Sequence, residues 1–326
     1  MPEPILQTRD LTKSFAVRRG FFAQRRLRLV AVDRVSLHIN RGETLGLVGE
    51  SGCGKSTLGL TVMQLYEPTS GQVRFDGQEL VGMDATQLRP VRREIQMIYQ
   101  DPFASLDPRM NIREILAEPM IIHQMESQRM RLDKAQSLLD IVGLPSDALH
   151  RFPSEFSGGQ QQRIGIARAL TLQPKMLICD EPVSSLDVSV QAQILNLLRD
   201  LQDEFDLTYL FISHNIAVTH FMSQRIGVMY LGRLVEIGPS EIIVNEPRHP
   251  YTQSLISAVP ETRPSREKKV RLLSGDVPSP IERPAGCAFH PRCPLAQARG
   301  LPAECVHDEP QMRDLGTDHR VACHFA

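Results

Sequence analysis

Nothing in this 326-residue chain approaches the roughly 18 consecutive apolar residues of a membrane-spanning helix. Its opening, MPEPILQTRD, lacks the basic-then-apolar layout of a secretion signal, so the chain is expected to stay in the cytosol. An excess of one charge is also missing. Lys+Arg number 37 against 38 Asp+Glu, a formal charge of −1, which argues against broad capture of nucleic acid or anionic lipid as the main activity and leaves room only for a local basic patch. Cysteine is sparse: six residues in a long chain without a signal peptide read as thiols or metal ligands rather than as a disulfide framework. No repeat of solenoid period and no low-complexity tract is visible.

What is present is the length for about two domains of roughly 150 residues each. The runs Leu45-Gly-Leu-Val48, Met176-Leu-Ile-Cys179, Leu207-Thr-Tyr-Leu-Phe-Ile212 and Gly227-Val-Met-Tyr-Leu231 are short, apolar and bounded by turn residues, the pattern of buried parallel strands in an α/β fold. Residues Ile112 to Leu149 carry helix-compatible spacing and read as a helical insertion between two groups of strands. After about Asn245 the texture changes, because 11 of the 23 prolines lie between Pro247 and Pro310, where long helices and central strands are poorly tolerated. A domain boundary is expected there, giving 1–245 and 246–326, with the first part split into a core of 1–99 and 156–245 and a helical subdomain of about 100–155.

Gly49-Glu50-Ser51-Gly52-Cys53-Gly54-Lys55-Ser56-Thr57 fits G-x-x-x-x-G-K-[ST], directly after an apolar strand and before the helix-compatible run Leu58 to Leu65. Glycines let the backbone amides converge on phosphate at a helix N-terminus, Lys55 offers a point charge to the β- and γ-oxygens, and Ser56 supplies a hydroxyl to Mg²⁺. A second apolar strand ends in Asp180-Glu181, where Asp180 can hold Mg²⁺ through its hydration shell and Glu181 can reach an attacking water as general base. Alone, that pair is an ordinary strand exit; beside a P-loop it reads as chemistry. Ser157-Gly158-Gly159-Gln160 opens a third element, a helix with Ser157 as N-cap and two glycines leaving the amides uncovered, which makes a second anion site suited to a nucleotide on another subunit.

In this order the motifs resemble those of ABC ATPases: Ser157-Gly158-Gly159-Gln160 is similar to the signature, Gln100 in Ile98-Tyr-Gln-Asp-Pro102 to the Q-loop, Ser185-Leu186-Asp187 to the D-loop, and His214 to the switch histidine. Phe15 resembles the aromatic that stacks on adenine. The resemblance covers about residues 5 to 245. It implies a RecA-like P-loop NTPase fold with an antiparallel β subdomain, a helical subdomain and a Cys-containing C-terminal extension. It also implies ATP and Mg²⁺ as ligands, with Ser56, Gln100 and Asp180 at the metal and Glu181, His214 and Gln100 at the reacting phosphate. Two such domains would pair head to tail, each ATP lying between one P-loop and the partner's signature. Three departures are mild: Asn215 follows His214 where Asp is frequent, Gln161 stands where Arg is frequent, and Phe15 lacks the commoner hydroxyl.

Pro247 to Leu255, Gly275 to Pro280 and Gly286 to Cys293 resemble the C-terminal extension of oligopeptide and dipeptide ABC importers. The insertion Arg18 to Arg26 favours the DppF/OppF type of subunit over its DppD/OppD partner and reads as an exposed hairpin. The implied setting is a peripheral subunit on the cytoplasmic face of the inner membrane, joined to a DppD/OppD-like second ATPase and two transmembrane permeases, served indirectly by an extracytoplasmic substrate-binding protein, with no nucleic-acid partner. The helical lobe, reached through Gln100, is expected to accept a coupling helix from the permease. The rival reading is a soluble ABC ATPase acting on nucleic acid or ribosomes, disfavoured by the single P-loop and the absence of long coiled coils. Cys287, Cys293, Cys305 and Cys323 are separated by 5, 11 and 17 residues, unlike the C-x-x-C of a zinc ribbon. Four thiolates suit an iron–sulfur cluster or zinc, and the resemblance favours [4Fe-4S], with His290, His307 and His324 near enough in sequence to substitute; four reduced cysteines in a proline-rich tail is the plain alternative.

Overall fold

The computed structural model describes residues 3–18, 26–125, 127–258 and 275–326, so the insertion expected at 18–26 lies, apart from its ends, outside the described residues. The chain forms two compact units: Met1–Asn40, Thr44–Val81 and Ser213–Ala326 in one, Arg41–Glu43 and Gly82–Ile212 in the other. Elements are numbered along the chain.

In the first unit β1 (Leu6–Arg18) and β2 (Arg26–Ile39) pair antiparallel from Leu6↔Ile39 to Val17↔Leu27, and β4 (Ser70–Phe75) with β5 (Gln78–Glu79) extends the sheet in the order β2-β1-β4-β5. Val73 and Phe75 alternate inward with exposed neighbours, the period of a sheet with one solvated face. The second layer holds β3 (Thr44–Val48) parallel to β9 (Arg225–Tyr230), every residue of both buried, as a parallel strand covered on both faces requires. Tyr230 pairs with Arg233 across the two-residue turn Leu231-Gly232, where both φ angles are positive (44° and 79°), and β10 (Arg233–Pro239) returns antiparallel. β12 (Arg320–Val321) pairs with β10, and β11 (Arg313–Asp314) with β12.

Helix α1 (Lys55–Val62) follows β3, and α8 (Ile216–Met222) and α9 (Ser240–Asn245) flank β9 and β10. Among its described residues the proline-rich segment contributes short helices: α10 (Pro250–Ser257), α11 (Pro294–Ala298) and α12 (Ala303–His307). Its apolar side chains are nevertheless core. Tyr251, Phe289, Cys293, Ala296 and Cys305 share one cluster with Ile226, Val228 and Tyr230 of β9, and the rings of Tyr230, Tyr251 and Phe289 lie 4.8 to 5.4 Å apart at tilted and edge-on angles. The fully buried Glu236 on β10 is satisfied by the same segment: the Arg248 and His249 backbone N–H groups donate to it at 2.7 and 3.0 Å, and His319 Nε2 lies at 2.8 Å.

In the second unit β6 (Ile95–Ile98), β7 (Met176–Asp180) and β8 (Thr208–Ser213) form a parallel set, with β7 central. α2 (Ala85–Glu94) starts on an Asp84–Gln87 capping box and α4 (Ile112–Ile122) on an Asn111–Glu114 box, each satisfying two otherwise orphaned amides. With α5 (Gln128–Ile141) and the short α3 (Pro102–Ser105), α4 forms the helical insertion that the spacing predicted, buried through Ile115, Leu116, Met120, Leu138 and Leu139. α6 (Gly158–Leu170) and α7 (Val188–Phe205) complete the unit. Among the described residues no helix is long and apolar enough to cross a membrane.

Two stability predictions follow from this packing. Phe289→Ala should cost about 3–5 kcal/mol in urea unfolding, because the removed ring sits amid Tyr230 and Tyr251. Burial pushes the His249 imidazole down to about 3, so the folded state holds it neutral. Its contribution is complete above about pH 6.5 and is lost as the pH falls toward about 3, at about 1.4 kcal/mol per pH unit, since the unfolded chain binds the extra proton. His249→Asn, which keeps a capping acceptor for the Tyr251 N–H, should flatten that part of the acid limb relative to the parent protein.

Candidate functional site

The loop after β3 folds as it does because two backbone approaches leave no room for side chains and one backbone hydrogen bond ties it down. A Cβ on Gly49 would stand 2.2 Å from the Met229 carbonyl oxygen, and one on Gly54, at φ +107°, would stand 2.1 Å from the Ala31 carbonyl oxygen. The Gly232 N–H donates to Cys53 O at 2.7 Å, locking the loop to the β9–β10 turn. α1 then begins with Gly54 as N-cap, with no side-chain cap and no acidic residue in its first turn, so its leading amides remain available to an anion. Lys55 is buried and its Nζ donates to Gly49 O at 2.8 Å and Glu50 O at 3.2 Å; Ser56 and Thr57 follow in the first turn. Cys53 is buried in the loop, and desolvation pushes its thiol up against the pull of the Lys55 charge.

Phe15 lies on β1 with its ring edge-on to Tyr66 at 5.4 Å, and Lys13 Nζ sits 5.0 Å from the Phe15 centroid while donating to Glu67 O at 2.7 Å. Tyr66 and Lys13 are additions that no motif had singled out. His214 occupies the turn between β8 and α8, and Asn215 after it is the N-cap of α8, its side chain accepting from the Ala217 and Val218 amides at 3.0 and 3.3 Å. Asn caps a helix as well as Asp does, so this departure has a local structural use.

In the second unit the carboxylates stand at the end of β7. Asp180 is its last residue and buried; Glu181 takes a left-handed conformation at φ 47°, uncommon for a non-glycine residue, while its N–H donates to Ile212 O at 2.9 Å. Gln100 Nε2 donates to Glu181 Oε2 at 3.1 Å, which brings together two residues 81 positions apart. Ser157 caps α6 in a full capping box with Gln160, and Gly159 faces Val190, whose Cγ1 would be 2.5 Å from an added Cβ. Gln161 is buried and donates to Pro153 O and Phe156 O at 2.7 and 3.2 Å, so the residue in place of Arg holds the loop that leads to the signature. Ser185-Leu186-Asp187 runs into α7, with Asp187 at its N-cap.

The sequence motifs did not reveal how the loop is held from the C-terminal side. Arg292 donates to both oxygens of Glu50 at 2.8 and 3.0 Å, and the Glu50 N–H donates to the Tyr251 hydroxyl at 2.9 Å. These partners are 242 and 201 positions from Glu50, and no local pattern marks them. All six cysteines are free thiols. Burial pushes the Cys287 thiol up to about 11; its backbone N–H donates to Cys305 O at 3.0 Å, and it packs against the cluster that holds Cys293 and Cys305. Yet among the described residues no group of three or more His, Cys, Asp or Glu side chains is arranged to hold a metal ion. Ring nitrogens of His290 and His324 are instead engaged with the Cys287 and Asp308 carbonyls at 2.9 Å. The expected [4Fe-4S] or zinc centre therefore finds no support in this geometry.

Gly54→Ala tests the loop: the Ala31 carbonyl cannot yield as a flexible side chain would, so the variant should lose more than about 2 kcal/mol of stability by thermal unfolding and bind nucleoside triphosphate far more weakly in calorimetric titration.

Comparison with known proteins identifies the family. Residues 32–184 match the ABC transporter family and residues 235–299 the oligopeptide/dipeptide transporter C-terminal region. The chain is 50% identical over 326 residues to the oligopeptide transport ATP-binding protein AppF of Bacillus subtilis, covering 99% of this chain and 98% of the relative. It is 46% identical to the di/tripeptide transport ATP-binding protein DppF of Pseudomonas aeruginosa, over 99% and 98% of the two chains. Among solved structures, the dimeric post-hydrolysis ATP-binding cassette MJ0796 bound to ADP and Pi superposes with a TM-score of 0.64 at 29% identity, covering 72% of this chain and 98% of that one. With half of its residues identical to a relative over nearly the whole of both chains and with both regions matched, the chain belongs to the ABC transporter ATP-binding family, in the branch that carries the oligopeptide/dipeptide transporter C-terminal region.

Proposed function

We propose that this protein hydrolyses ATP to drive a di- or oligopeptide importer, acting as a peripheral subunit on the cytoplasmic face of the membrane beside two permeases and a DppD/OppD-like second ATPase. The observation that carries the reading is the pairing, in this chain, of an ABC cassette with the 235–299 extension, alongside full-length similarity to proteins named for oligopeptide and di/tripeptide transport. The rival reading, action on nucleic acid or ribosomes, has no support among these relatives. The helical insertion supports a permease contact, since Ile121, Ile122 and Met130 are exposed on α4 and α5.

In this reading Lys55 and the α1 amides neutralise the β- and γ-phosphates, and Phe15, steadied by Tyr66, stacks on adenine. Ser56 and Asp180 would hold Mg²⁺ as hard oxygen donors, and the charge neutralisation it would supply there would aid phosphoryl transfer. Glu181, oriented by the Gln100 amide, takes a proton from the water whose oxygen bonds to the γ-phosphorus as the bridging oxygen leaves on ADP. His214 contacts the γ-phosphate. Ser157, Gly158, Gly159 and Gln160 serve the nucleotide of the partner ATPase, with Ser185, Leu186 and Asp187 at the same seam.

What supports an iron–sulfur cluster at Cys287, Cys293, Cys305 and Cys323 is the resemblance and the four-thiol donor set alone. Visible absorption with iron and zinc analysis of anaerobically purified protein checks it, and metal-free protein with full ATPase activity rejects it.

Glu181→Gln should retain ATP affinity while turnover in the assembled transporter falls by about a hundredfold or more. Uptake of labelled di- and tripeptides by a deletion strain carrying this variant should fall in parallel. Near-normal hydrolysis would remove Glu181 from its assigned role, and normal peptide uptake in the deletion strain itself would remove the proposed cargo.

A further inference from the structure

Glu50 occupies the second position of a loop whose task is to collect a triphosphate, and its carboxylate carries the same sign as that ligand. Over the short distances inside such a loop, an unpaired carboxylate would oppose the anion that Lys55 attracts. The structure turns this side chain toward the C-terminal extension and cancels its charge there. Arg292 meets it as a two-pronged pair, Nη1 to Oε2 at 2.8 Å and Nη2 to Oε1 at 3.0 Å. The guanidinium belongs to a residue only 6% exposed and lies 6.0 Å from the Tyr230 ring centroid. The loop backbone at the same residue is fixed separately, through the Glu50 N–H and the Tyr251 hydroxyl at 2.9 Å. One loop residue is thus held at its backbone and its carboxylate by two side chains from beyond Asn245.

We infer that Arg292 is a positioning residue of the nucleotide site: by neutralising Glu50 and aiming it away from the phosphates, it lets the C-terminal extension set the affinity of the loop for triphosphate. The inference rests on the reading of this loop as an ATP site. A buried ion pair is often replaceable by apolar packing without loss of stability, so a purely structural staple would show itself in melting temperature rather than in a charge-dependent ligand effect. Any change in the extension that moves Arg292, which immediately precedes Cys293 and the start of α11, is transmitted to the loop through this pair.

The test is calorimetric titration of the full-length protein with ATP and with ADP, at low and at 0.5 M salt (roughly a Debye length of 4–5 Å), with thermal midpoints recorded for each variant. Arg292→Met is expected to bind ATP about tenfold more weakly, with a smaller deficit for ADP and at high salt, because the exposed Glu50 charge repels the ligand. Glu50→Gln should bind ATP at least as tightly as the parent protein, since Arg292 then adds uncancelled positive charge. The double variant Glu50→Gln/Arg292→Met should recover to within about threefold of the parent. ATP affinity of folded Arg292→Met within twofold of the parent, or a double variant as weak as Arg292→Met, overturns the inference. Should Arg292→Met not fold, Glu50→Gln decides: retained or tighter binding supports the inference, and a tenfold loss overturns it. Parent protein that fails to bind ATP, under conditions where its fold is intact, would refute the underlying site reading instead, and Lys55→Ala supplies the non-binding reference.

Discussion

A helix N-terminus gathers a polyphosphate only when the chain before it turns so tightly that its amides open toward one place, and here that turn is enforced by neighbouring backbone. The Met229 and Ala31 carbonyls stand where Cβ atoms of Gly49 and Gly54 would be, and the Gly232 amide holds Cys53. The loop is therefore only as well formed as the strands that press on it. β9 is buried along its whole length, and the Leu231-Gly232 turn after it uses two positive φ angles to bring Gly232 against the loop.

The same logic explains why a proline-rich tail with only short helices belongs to the core. It supplies the Tyr251 and Phe289 rings that cover Tyr230, and it satisfies the buried Glu236 through the Arg248 and His249 amides and His319. A third tie is ionic. Asp33 on β2 receives Arg233 at 2.7 Å and also pairs with Arg283; burial alone would raise its carboxyl, but these arginines win and hold it below the usual range. Arg34 adds a pair to Glu309 at 2.6 Å. Apolar, hydrogen-bonded and ionic contacts together fasten the segment to the strands that shape the phosphate loop.

At the end of β7 stands a pair of carboxylates with different surroundings. Asp180 is enclosed at the end of β7, whereas Glu181 leaves the strand through a left-handed residue and meets the Gln100 amide. The left-handed turn at Glu181, held by a backbone hydrogen bond to Ile212, carries its carboxylate to the Gln100 amide while Asp180 stays with the strand.

The local chemistry of the site was legible in the chain because its parts are local. The P-loop pattern between an apolar strand and a helix, the Ser157 cap with its two glycines, and the carboxylates after Cys179 each depend on residues a few positions apart, and backbone physics assigns them turns, caps and strand ends without knowledge of the rest. Contacts across 201 and 242 positions have no such signature: the Tyr251 hydroxyl and the Arg292 guanidinium reach Glu50 only because β9, α10 and α11 pack into one cluster. The use of Gln161 as a loop anchor and of Asn215 as a cap likewise appeared only once neighbours were placed. Cysteine spacing invited a metal, but ligation is decided by side-chain convergence in space, which spacing along a chain does not determine. The sequence determined which elements could bind phosphate; tertiary packing decided what holds them, because burial and charge cancellation are properties of neighbours in space rather than neighbours in order.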